Sequence, residues 1–200
     1  TRRVFRLNGQ VIPVTKDIVD LKITYVDGSH VIGEHTLDAH VKQPQRIESV
    51  SLVPAANINP RAREAIIAAD HIIIGPGDYY ASLMATLVAD GMPEAIAESD
   101  ATITYVVNLM TRLTQTHGMT ARDHVEGIEA AINATIDQVL INGGTIPEAI
   151  RERYAASEEY PVEDDMQDDP RVVRSDLIDS TPYQKGYDDD THRSVLRHSS

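Results

Sequence analysis

No cysteine occurs among the 200 residues. Disulfides, thiolate metal sites and cysteine nucleophiles are therefore excluded, and the redox compartment is left open. Aromatic residues make up only 4% of the chain against 42% hydrophobic residues, so a core must rest mainly on Val, Ile, Leu and Ala. No apolar run approaches the roughly 20 residues that span a bilayer. No membrane partner is expected, and the cytoplasm is the expected location. Positive charge is scarce too: 18 Lys and Arg against 31 Asp and Glu give a formal net charge of −13. A surface this acidic repels phosphodiester backbones, which argues against nucleic acid as a partner. The opening stretch TRRVFRLNGQVIPV is basic but lacks the apolar run and small-residue cleavage site of a signal peptide. It also lacks an initiator methionine, which fits a chain that begins part-way through a longer product.

The first third carries strand and turn signals. QVIPVT is short and β-rich, and LKITYVDGSHVIGEHTL places Asp27-Gly28 between two partly alternating apolar runs, as a tight hairpin requires. QRIESVSLVPA is a further strand that ends at Pro54. After Asn59-Pro60 the spacing becomes helical, with Ala62, Ala65, Ile66 and Ala69 in phase and proline at a helix start.

Three strand-loop-helix units follow. In the first, Ile72–Ile74 is a strand and Gly75-Pro76-Gly77-Asp78 a loop. A helix then carries Tyr80, Leu83, Met84, Leu87 and Val88 on one face and ends at Gly91. The second has TITYVV, the loop NLMTRLTQTHGM, and a helix from about Thr120 with Ala121, Val125, Ile128 and Ile132 in phase. Thr120 with Asp123 forms a capping box in which Asp replaces the usual Glu. The third has QVLI, the loop NGGT, and a helix opened by Pro147. Such alternation, with continuous apolar strands, predicts an α/β fold: a parallel sheet flanked by helices, beside a small β-hairpin subregion. RVVRSDLID offers one last strand, and the acidic runs EEYPVEDDMQDDP and YDDDTH read as solvated loops.

Strand-to-helix loops of a parallel sheet open on one edge, where ligands bind. Gly75 and Gly77 let backbone amides approach closely, and a helix N-terminus follows. Ser82, Asn108, Thr111, Asn142 and Thr145 add hydroxyl and amide groups with little bulk. That set suits an anion, most simply a diphosphate. A lone G-P-G is equally compatible with a tight structural turn, since it is neither a Walker loop nor G-x-G-x-x-G.

In order, ADHIIIGPGDYYASL, YVVNLMT, HGMTARDHVEGIEA, LINGGTIPEAIRERY and the terminal LRHSS resemble the C-terminal half of the YvcK / CofD-like family. The upstream NGQVIPVT and DLKITYVDGSHVIGEHTL resemble its middle region. The resemblance implies a Rossmann-like nucleotide-binding fold. On the YvcK side it implies a gluconeogenesis factor that binds UDP-sugars and acts in carbon flow, cell shape and wall synthesis. On the CofD side it implies a 2-phospho-L-lactate transferase with a guanosine-diphospho donor and a deazaflavin acceptor. The G-P-G loop and the N-L-M-T loop place the chain on the YvcK side. By position, the implied ligand-binding residues are Gly75, Pro76, Gly77, Asp78, Tyr79, Ser82, Asn108, Leu109, Met110, Thr111 and Asn142. No catalytic residue is assigned, because no nucleophile or paired acid and base stands out, and no protein-held metal is expected. Mg2+ enters only as a companion of the nucleotide, and a homodimer is compatible with the resemblance.

The implied organisation is one CofD-like domain over 1–200, the C-terminal two-thirds of the family's domain. It divides into a β-rich part (1–56), a nucleotide-binding core (57–157) and an acidic segment (158–200). The family's N-terminal G-G-G-T-G segment has no match here, which suits a fragment. Asp78 stands where the family usually has serine, so it contacts phosphate only through a cation. Arg112 either contacts phosphate or lies in solvent. Glu34-His35 and His40 lack the spacing of a metal motif, and Asp123-His124 cannot meet as a dyad on one helix. Arg197-His198 either frays or closes the site. A chain without ligand affinity, acting only as an interaction module, is the remaining alternative.

Overall fold

The computed structural model describes residues 9–33, 45–179, 196 and 198. The stretch around His35 and His40, Arg197 and the run YDDDTH lie outside the described residues.

Strands β1 (Asp20–Tyr25), β2 (His30–Ile32) and β3 (Ile47–Val53) form an antiparallel sheet in the order β2-β1-β3. The Asp27-Gly28 turn is built as its residues require. Gly28 sits at φ +83°, and the Asp27 carboxylate accepts from the Ser29 amide (2.9 Å) and hydroxyl (2.6 Å). Alternation along β1 buries Leu21, Ile23 and Tyr25, which pack with Tyr80, Ala81 and Ala85. The small sheet thus braces the helical segment behind the glycine loop. QVIPVT is not a strand. Pro13 has no amide to donate, and the carbonyls of Pro13 and Val14 are taken by the Asn59 side chain (3.0 Å) and backbone amide (2.6 Å).

Helix α1 (Pro60–Ile67) starts at Asn59, whose side chain accepts from the Arg61 amide. Four parallel strands follow: β4 (His71–Ile74), β5 (Thr102–Val106), β6 (Gln138–Asn142) and β7 (Val172–Ser175), in the order β4-β5-β6-β7. Helices flank this sheet, which gives the expected α/β architecture. Alternate residues of the central strands, Ile103, Tyr105, Val139 and Ile141, are buried, whereas Ile73 on the outer strand β4 is 70% exposed.

Between β4 and β5 the helix is not the single one that the spacing predicts. A π-helical segment, Tyr79–Met84, runs into a short α-helix, α2 (Ala85–Leu87). Gly91, at φ +89°, then caps a separate helix, α3 (Met92–Ala97), rather than ending the first. Helix α4 (Ala121–Ile132) links β5 to β6 and begins at the Thr120–Asp123 capping box. Its in-phase Ala121, Val125, Ile128 and Ile132 are buried, as is His124. Helix α5 (Glu148–Ala155) follows β6 and buries Tyr154.

Much of the acidic stretch after Glu158 is held down rather than solvated. Glu159 and Met166 are buried, and Val162 packs against the core. Arginines hold the acids in place: Asp164 with Arg174, Asp165 with Arg122, and Asp169 with Arg171, which also grips Glu129. The Arg171 hydrogen bonds hold the Asp169 carboxyl down to about 2.

Candidate functional site

The loops after β4, β5 and β6 stand at the carboxyl edge of the parallel sheet, as the chain direction requires. Between the first two, contact is direct. The Asn108 amide donates to the Gly77 carbonyl (2.8 Å), and its oxygen receives the Gly77 amide at 3.4 Å. Arg112 pairs with Asp78 across the same gap. Gln115, only 5% exposed, accepts from the amides of Tyr80 (3.1 Å) and Ala81 (3.2 Å). The carbonyl of Asp78 receives the next two amides, those of Ser82 and Leu83. Most donors of the turn into the helical segment therefore already have protein partners.

Tyr79 lies beneath this loop rather than in it. Its side chain is 1% exposed, its hydroxyl donates to the His124 carbonyl (2.8 Å), and its ring meets Tyr80 and His124 edge-on. Burial pushes its phenol far above the ordinary tyrosine value. Ser82 is exposed, and Gly75 and Pro76 form the open part of the turn. His124 is fully buried with its Nδ1 on the Thr120 carbonyl (2.7 Å), while its Nε2 has no hydrogen-bond partner among the described residues. Burial lowers its pKa, against an opposing pull from the Thr120 carbonyl.

The second loop is paired along its length. Met110 bridges to Pro161, the Thr111 amide donates to the Tyr160 carbonyl (2.6 Å), and the Thr111 hydroxyl accepts from the Tyr160 amide (2.9 Å). Val162 donates to the Leu109 carbonyl (3.1 Å). In the third loop Asn142 is equally committed. Its oxygen accepts from the amides of Gly144 and Leu177 (3.1 Å each), and its amide donates to the Gly144 carbonyl (2.9 Å).

Between these second and third loops lies a pocket of about 320 Å³. Its apolar walls include Val107, Leu109, Ile141 and Val162; its polar lining is Asn108, Asn142, Thr145 and Arg151. That volume falls at the lower end of the range for small-ligand sites. His198 Nε2 meets the Val107 carbonyl at 3.3 Å and residue 198 bridges to Ile178, so the last described residue sits beside the same wall. The carboxylate in the first loop, Asp78, has one oxygen held by Arg112.

The model of the family described as 2-phospho-L-lactate transferase CofD matches residues 1–178. The chain belongs to the CofD family. Among CofD-family relatives it is similar to a protein of Thermotoga maritima provisionally named gluconeogenesis factor, 37% identical over 152 residues, 76% of this chain and 48% of that protein. It is also similar to the gluconeogenesis factor of Bacillus subtilis, 32% identical over 168 residues, 83% of this chain and 52% of that protein. The crystal structure of a UPF0052-family protein from Bacillus halodurans superposes with a TM-score of 0.84 at 28% identity, covering 98% of this chain and 60% of that one. The chain thus spans about half the length of the curated relatives it matches.

Of the residues that the CofD-family resemblance implied, the fold brings Gly75–Asp78, Asn108–Thr111 and Asn142 to one edge. Leu109, Asn108 and Asn142 line the pocket itself. Gln115 and Arg151 were absent from that set. Gln115 gave no local signal, being 35 residues from Tyr80. Arg151 stands on the helix after the third loop, where a basic side chain near a glycine-bearing turn was legible.

Proposed function

We propose that this chain is the ligand-holding part of a YvcK-type protein, which binds a nucleotide-sugar in the crevice above β5 and β6. UDP-sugars are the expected class, and the role is control of carbon flow toward the cell wall and cell shape. The observation that carries this reading is the pocket between two strand-end loops, beside a glycine loop tied to it by Asn108. The relatives named gluconeogenesis factor support it from the side of sequence. The protein acts in the cytoplasm. Mg2+, where the nucleotide brings it, rides on the phosphates, and a homodimer is compatible with this reading.

The reading predicts that UDP-sugars stabilise the full-length protein without being consumed. At a hundredfold excess over Kd the gain is about 2.7 kcal/mol, a rise of several degrees in melting temperature. No shift, or turnover of the UDP-sugar, contradicts it. The family's transferase name favours a second reading, phospholactyl transfer from a guanosine-diphospho donor to a deazaflavin. That reading requires a guanine preference and product formation in the presence of a deazaflavin acceptor.

A further inference from the structure

The pocket between the second and third loops has polar groups of two kinds. The amides of Asn108 and Asn142 are committed to Gly77, Gly144 and Leu177, so they shape the walls. Among the described residues, the Thr145 hydroxyl has no hydrogen bond and Arg151 is the only charged side chain in the lining. Arg151 is engaged by Glu148, one turn earlier on α5, and both side chains are open to water, at 52% and 64% exposure.

An exposed pair of this kind holds its partners weakly. A guanidinium, by contrast, offers a planar fork of donors that matches a phosphate with two parallel hydrogen bonds. The chain as a whole is strongly acidic, at −13, so a phosphate ligand approaches against the overall field and needs a local cation. Building on the nucleotide reading above, we propose that Arg151 receives a phosphate of the ligand in this pocket and that Glu148 competes with the ligand for it. Thr145 supplies a second donor at the same mouth. Binding then exchanges one partner of Arg151 for another rather than desolvating a bare charge, and Glu148 sets the affinity.

The two ends of the pair therefore have opposite effects, which a structural salt bridge would not produce. UDP is titrated calorimetrically into the full-length protein, as wild type, Arg151→Gln and Glu148→Gln, at low and high salt. Arg151→Gln weakens binding about tenfold, the loss of a charge-assisted hydrogen bond. Glu148→Gln strengthens it about two- to fivefold, the release of an exposed ion pair. Added salt weakens UDP binding by the wild type and much less by Arg151→Gln. Both positions are exposed on a helix, and thermal melts of the three proteins should coincide. UDP binding that Arg151→Gln leaves unchanged, or that both variants weaken alike, overturns this inference alone. Absence of UDP binding by the wild type removes the nucleotide reading and this inference with it.

Discussion

The glycine loop after β4 and the pocket between the β5 and β6 loops share one sheet edge but are built in opposite ways. In the first, protein groups occupy most of the donors: Asn108 accepts from the Gly77 amide and Gln115 from those of Tyr80 and Ala81, while Arg112 donates to the Asp78 carboxylate. In the second, a hydroxyl and a weakly held guanidinium face open space. A glycine turn before a helix advertises anion binding only while its amides are free. On the reading proposed above, the turn is a wall and its neighbour the receptacle.

The sharpest way to test the rigidity of that wall is Gly127→Ala. A methyl group there would stand 2.2 Å from the Tyr79 hydroxyl, beneath the glycine loop and inside the core. We expect about 2–3 kcal/mol of destabilisation in urea unfolding, the usual cost of overpacking. A neutral result would mean that Tyr79 moves freely and the wall is soft. Next in size, Gln115→Ala removes the acceptor of two amides in the loop's first turn, worth about 2 kcal/mol. UDP affinity should change little in that variant. A tenfold loss of affinity without a loss of stability would reverse the roles of the two regions.

Acid should loosen the wall as well. Burial holds the His124 pKa below the ordinary 6.5, and His198 shifts the same way. The unfolded chain therefore takes up these protons first. Stability holds above pH 6.5 and falls as the pH drops below it. Urea midpoints between pH 8 and 5 check the sign, and His198→Gln separates its contribution from that of His124. A midpoint that rises over this range contradicts the burial of His124. The smallest effect belongs to the pocket: Glu148→Gln should alter stability by less than about 0.5 kcal/mol, as exposed helix positions do.

Local signals in the sequence carried the hairpin at Asp27-Gly28, the Thr120 capping box, the buried phase of α4 and the last strand β7, because each depends on residues close along the chain. What stayed hidden depends on distant partners. The pairing of Leu109–Thr111 with Tyr160–Val162 joins segments about fifty residues apart and turns an acidic run into part of the site wall. The Gln115 cap is of the same kind. Gly91 misled in another way: a glycine at φ +89° suits a helix end, yet here it precedes Met92 and starts α3. The sheet edge that gathers the candidate residues was legible; which of them keep free valences was not.

Amide hydrogen exchange of the full-length protein, with and without UDP, distinguishes the pocket from the glycine loop as the place where ligand sits. Added protection is expected around Val107–Leu109 and Ile141–Ile146, with little change from Gly75 to Ser82. Protection confined to the glycine loop and its helical turn, with the pocket unaffected, would contradict it.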